Sequence, residues 1–246
     1  MSAPPTPSPP LGPARRPDDE ADSWARLYRI GGVSGLVFLA LVGLPMVLVL
    51  AFPVPPVEGE AVLRFISTHK ALYVTELVCF VGLSVPALLV FAAAAVALRR
   101  VDPGIAAIGG LVGIASEIVA LSVGSSPQSL HGGLVVLSSS YEQSGTAAER
   151  AGLADSANAL IAATNAVTWA GILTAAAILV LSWLVRPGGL GQGLALLGMA
   201  TGVIGIASEA LRPLIGPAYL VYGLLLPTWF TLMGLRLLRL GRRRET

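Results

Sequence analysis

Apolar residues gather in six runs along this chain, at about 30–52, 73–98, 104–124, 160–185, 193–212 and 217–238, and the charges lie mostly between them. A helix rises ~1.5 Å per residue and needs roughly 20 apolar residues to cross the hydrocarbon of a bilayer. Each run is close to that length. Six in succession, with so few charges between them, predict an all-α polytopic membrane protein rather than the buried helices of a soluble core. Pro45, Pro86 and Pro227 fall inside runs, where neighbouring helices satisfy the carbonyls that proline frees.

The segments between runs differ in kind. Residues 1–28 hold seven prolines before position 18 and then the acidic cluster Asp18, Asp19, Glu20, Asp22. With almost nothing to bury, this stretch reads as a disordered tail, and without an apolar core it is not a secretory signal. The membrane domain is expected over 29–240, followed by a basic tail at 241–246. In the 53–72 loop, Ala61 to His69 carries apolar residues at helical spacing, which predicts a short helix lying on the outer surface. The 125–159 loop is mostly polar, with an apolar patch at Leu134–Leu137 too short to span. Interfacial, re-entrant and packed placements of that patch all stay open. The helix of the fourth run is expected to begin near Asp155.

Composition sharpens this picture. The chain has 246 residues, 54% apolar and 12% charged, with a mean hydropathy of +0.77. Soluble domains are about a quarter charged, so a chain at half that level has a different solvent. Cys79 is the single cysteine, which excludes an internal disulfide or a site built from several cysteines. His69 and His131 are too few for a multi-haem bundle, and no cofactor is expected. A pI near 9.0 raises the question of nucleic acid, but the basic residues flank apolar runs, which is a topological signature. Arg15, Arg16, Arg26, Arg29, Arg99, Arg100, Arg186, Arg236, Arg239, Arg242, Arg243 and Arg244 fall on one side. Arg64, Lys70, Arg150 and Arg212 fall on the other. Twelve against four predicts both termini in the cytosol and a place in the cytoplasmic (plasma) membrane.

A pentapeptide occurs twice, as Gly113-Ile-Ala-Ser-Glu117 and Gly205-Ile-Ala-Ser-Glu209, in the third and fifth runs. A Pro-Gly turn precedes both copies, by 14 residues at Glu117 and 22 at Glu209. Duplication of a two-helix unit and coincidence in a chain rich in Ala, Gly and Ile are both open. Spacing by four puts each Gly on the face of its Glu, and the Gly109/Gly113 and Gly198/Gly202 pairs extend that small-residue stripe. Gly109, Gly113, Gly198, Gly202 and Gly205 are therefore expected at helix contacts.

A carboxyl inside a membrane span is costly unless protonated, paired or beside water. Glu117 and Glu209 meet that condition in the outer half of their runs, with Arg212 three residues beyond Glu209. Glu76 sits one turn into the second run, and Asn158 and Asn165 share a face at the outer end of the fourth. The functional reading is an outward-open polar cavity in which Glu117 carries a proton or partners a ligand, with Glu209, Arg212, Glu76 and Asn165 beside it. The structural reading is polar helix glue, with Glu209–Arg212 a surface pair and Glu76 interfacial. Pro227 with Trp229 reads as a tolerated kink beside an interfacial aromatic. No nucleophile–base set, HExxH, phosphate-binding loop or dinucleotide fingerprint is present, so no enzyme is expected.

The Arg29-Ile-Gly-Gly-Val-Ser-Gly-Leu36 opening, the two Gly-x-x-Ser-Glu segments and the closing Trp229 to Arg239 stretch resemble the bacterial six-helix membrane proteins of the domain-of-unknown-function 4386 family. The resemblance covers residues 26–240 and implies a six-helix bundle, with no activity or catalytic residues to transfer. The sequence thus leads to a membrane protein that binds or moves a small or lipidic molecule. The alternative is a structural protein that partners another membrane protein through its Gly-rich helices. The lipid bilayer is a partner in both, nucleic acid in neither.

Overall fold

The computed structural model describes residues 17–123, 130–165 and 169–242. The chain is all-helical, 88% helix, with no strand among the described residues. Among the described residues eleven α-helices run in order: α1 Pro17–Ala51, α2 Gly59–Thr68, α3 Lys70–Gly82, α4 Ser84–Leu98, α5 Pro103–Val123, α6 Gly132–Gln143, α7 Ala147–Asn165, α8 Trp169–Val185, α9 Gln192–Ala210, α10 Arg212–Ile215 and α11 Tyr219–Arg242. Six segments are long and apolar enough to cross a membrane: Trp24–Leu48, Lys70–Leu98, Pro103–Ser122, Ala147–Val185, Gln192–Ala210 and Tyr219–Arg242.

Local chemistry sets the ends and breaks. Asp102 caps α5, its Oδ1 accepting from the Ile105 N–H at 2.9 Å, and Pro103 opens the helix where no donor is needed. The α8–α9 turn needs left-handed backbone at Gly189 (φ 74°) and Gly191 (φ 116°), a region that glycine enters without steric cost. The second span divides at Leu83 into α3 and α4, because Pro86 has no N–H for the Gly82 carbonyl. In α11, Pro227 likewise has no donor for the carbonyl of Gly223.

The six long segments form a ring in chain order, α1, α4, α5, α8, α9 and α11, which closes where α11 packs along α1. At that closure the backbones touch: a Cβ on Gly35 would fall 2.6 Å from the Phe230 carbonyl, and one on Gly32 2.9 Å from the Gly234 carbonyl. An aromatic cluster sits within the largely aliphatic core of the ring. Phe38 stacks on Phe230 with centroids 4.2 Å apart, and Phe91 meets Phe230 edge-on at 5.4 Å. Trp229 lies in the same core, fully buried, with its Nε1 donating to Ser182 Oγ at 3.1 Å. It is a core residue rather than the interfacial aromatic expected. Outward faces are apolar, with Leu111, Trp183, Val203 and Leu224 all more than half exposed.

One end of the ring closes with the short turns at 99–102 and 186–191; the other carries a cap of α2, α6 and α7. The apolar face of α2 (Val62, Leu63, Ile66) is buried against α6 and α7 together with Tyr73, Leu134 and Ile161. The amphipathic pattern of α2 thus answers to protein rather than to a membrane surface, and the Leu134 patch is packed. Polar bonds fix the lid: Asn158 Oδ1 accepts from the Gly59 N–H at 2.7 Å, and Ser138 Oγ donates to the Leu63 carbonyl at 2.8 Å. Helix α7 begins at Ala147, eight residues before the expected start near Asp155. Helix α1 begins at Pro17, so residues 17–28, expected to belong to a disordered tail, are helical, and Ala25 and Tyr28 are buried. The rest of that expected tail, and residues 243–246 of the basic one, lie outside the described residues.

Candidate functional site

The five expected packing glycines all point inward. A Cβ on Gly109 would stand 2.8 Å from the Leu181 side chain, and one on Gly202 2.5 Å from the Leu179 Cβ. Gly113 is pressed against the ring of Phe91, Gly198 against Ser182 and Trp229, and Gly205 against Tyr222 and Ala175. These contacts seat α5 against α4 and α8, and α9 against α8 and α11. They also turn the glutamate one helical turn beyond each repeat glycine, Glu117 and Glu209, into the ring.

The two carboxyls arrive at one cavity of about 150 Å³, walled by residues of the ring and of α3 and α10. Its polar wall is Ser84 of α4, Glu117 of α5, Thr174 of α8, Glu209 of α9, Arg212 of α10, and Tyr219 and Tyr222 of α11. Its apolar wall includes Phe38, Val42, Phe80, Leu83, Leu226 and Phe230. Helix α8 stands between the two acidic helices and meets each carboxyl through one residue. Thr174 Oγ1 lies 3.1 Å from Glu117 Oε1 and 3.0 Å from Ser116 Oγ. One turn earlier, Gly171 provides the space that the Glu209 carboxyl occupies, since a Cβ there would overlap it.

The two sites then diverge. Tyr219 OH donates to Glu209 Oε1 at 2.6 Å, and Arg212 Nη1 stands 3.7 Å from Glu209 Oε2. The Arg212 guanidinium also lies over the Tyr219 ring, 5.1 Å from its centroid. These side chains are 8% and 4% exposed, so Glu209–Arg212 is a buried pair, not the surface pair expected. Glu117 is equally buried, yet among the described residues no Lys, Arg or His pairs with it. Its neighbours are neutral hydroxyls.

Of the other candidates, Glu76 is buried on α3 rather than interfacial, and its Oε2 accepts no hydrogen bond among the described residues; it does not line the cavity. The side chain of Asn165 lies outside the described residues. Asn158 serves the α2–α7 contact. His131 caps α6, its Nδ1 accepting from Gly133 N–H at 2.9 Å, while His69 stacks on Phe65. Thr174, Gly171, Tyr219, Tyr222 and Gly223 belong to the site and were not singled out by the sequence. A hydroxyl or glycine in a span resembles ordinary packing until its neighbour is known. Comparison with protein-family models, curated proteins and solved structures gives no match.

Proposed function

We propose that this is a non-enzymatic, multi-pass protein of the cytoplasmic membrane that binds or passes a small or lipidic molecule through the cavity holding Glu117. The carrying observation is a buried carboxyl that faces a cavity and has no cationic partner among the described residues, inside a ring of helices with an apolar exterior. In hydrocarbon such a group is a functional feature by default. The arginine-rich turns and termini support a cytosolic turn end of the ring. On that orientation the cap and the cavity belong to the outer half. The alternative, docking to another membrane protein through the Gly-rich helices, draws no support from the five glycines, which meet the chain's own atoms.

Native mass spectrometry of the gently extracted protein tests this reading. Wild type is expected to retain a bound small molecule or lipid. Gly223→Leu should lose it, because Gly223 lines the cavity and a Cβ there meets no atom within 4 Å, leaving room for the larger side chain to enter. Equal retention by both proteins sinks the proposal.

A further inference from the structure

The charges around the cavity do not balance, and the imbalance has a sign. Glu209 and Arg212 neutralise each other across 3.7 Å. Ser84, Thr174, Tyr219 and Tyr222 bring no fixed charge, and among the described residues no other ionisable side chain lines the cavity; Glu76 on α3, which also packs against α5, lies outside it. Glu117 is therefore the one carboxyl without a counter-charge. A carboxyl so deeply buried is stabilised by either a proton or a cation.

From this we infer that the cavity takes a small organic cation, an ammonium on an apolar body, which displaces a proton from Glu117. The inference rests on the cavity-binding reading above and names its ligand class. An anion is the competing class, because Arg212 Nη1 and Nη2 have no hydrogen-bond partner. Arg212, however, already faces the Glu209 carboxylate and lies over the Tyr219 ring, so its charge is answered within the protein, whereas that of Glu117 is not. The rest of the wall suits a cation: Phe38, Phe80, Phe230 and Tyr222 supply aromatic surface, which attracts ammonium groups within about 6 Å of a ring centroid. Pro227 leaves the Gly223 carbonyl on the same wall without its helical donor. Size agrees as well, since an apolar cavity of about 150 Å³ accommodates benzene. The exchange balances: the cation enters, the O–H bond of Glu117 breaks, and the proton leaves to water.

Three probes of one shape test the charge class: benzylammonium, benzyl alcohol and benzoate, titrated calorimetrically into the full-length protein in lipid nanodiscs, with empty nanodiscs subtracted. Benzylammonium should bind most tightly. Its apparent Kd should rise about tenfold per pH unit on the acid side of the Glu117 titration, as competition with one proton requires. Glu117→Gln should weaken it at least ~30-fold while benzyl alcohol binding persists, which also shows that the variant is folded. Benzoate binding as tightly as benzylammonium, or benzylammonium binding unchanged by Glu117→Gln, overturns the cation assignment. Binding of the alcohol or benzoate alone, lost in Gly223→Leu, sinks the cation but leaves the cavity reading standing. Binding of none of the three by wild type sinks both.

Discussion

Five identical residues, Gly-Ile-Ala-Ser-Glu, stand at 113–117 on α5 and at 205–209 on α9, and the fold gives the two glutamates different chemistry. Both glycines meet the preceding long helix, Gly113 at Phe91 of α4 and Gly205 at Ala175 of α8. Both carboxyls then enter the same cavity and face α8. What separates them lies outside the repeat. After Glu209 the chain breaks at Leu211, and α10 and α11 bring back Arg212 and Tyr219. After Glu117 the helix runs on to Val123 without a basic residue, leaving only hydroxyl neighbours. A helix face brings a carboxyl to a site, and the next turn of chain decides whether it is a strut or a free acid.

That contrast breaks most sharply if the carboxyls are neutralised in turn. Glu209→Gln leaves Arg212 buried without a counter-ion, a loss worth about 3–5 kcal/mol, and should lower the thermal midpoint in detergent severely. Glu117→Gln keeps an oxygen to accept from Thr174 and should cost under about 1 kcal/mol. Equal losses would mean that Glu117 is also an ionic strut. Hydroxyl deletions sharpen the comparison at smaller scale. Tyr219→Phe removes a 2.6 Å bond to a carboxylate, worth about 1.5–3 kcal/mol for a charged acceptor. Thr174→Val removes a 3.1 Å bond to Glu117 and should cost about 1 kcal/mol. The reverse order would place the charge on Glu117 instead.

Hydropathy made the six long apolar helices legible because a bilayer would impose one requirement on every residue that faces it. The repeat and the glycine stripes were legible for a related reason, since spacing by four fixes a face whatever it meets. Partners were not. Glu209 and Arg212 are three apart, so their pairing was readable, but their burial depends on the return of α11. Helix α2 has an apolar face that would satisfy lipid or protein equally, and only the approach of α6 and α7 decided it. The start of α1 was misread because residues 17–28 are too polar to signal a span. Yet Ala25 and Tyr28 pack in the bundle, with the Ala25 carbonyl 3.2 Å from where a Gly241 Cβ would stand.

The cap supplies a third carboxylate, in water, and with it the mildest test of the same rule. Glu60 Oε1 accepts from Tyr141 OH at 2.8 Å and from Arg64 Nη2 at 2.6 Å. The tyrosine bond first, and the arginine second, hold its carboxyl below the ordinary value of 4.5. A depressed carboxylate stabilises the fold fully above its unfolded value and loses that contribution as pH falls through the folded one. The α2–α6 contact should therefore loosen only below about pH 4.5, seen as faster amide exchange in residues 59–68 before the ring responds. Tyr141→Phe should move the onset to higher pH, whereas Arg64→Gln should move it less, because an exposed ion pair contributes little. If Arg64→Gln has the larger effect, charge rather than the buried end of a hydrogen bond governs the cap. In that case the hydroxyl neighbours of Glu117 are a weaker guide to its chemistry than its missing cation.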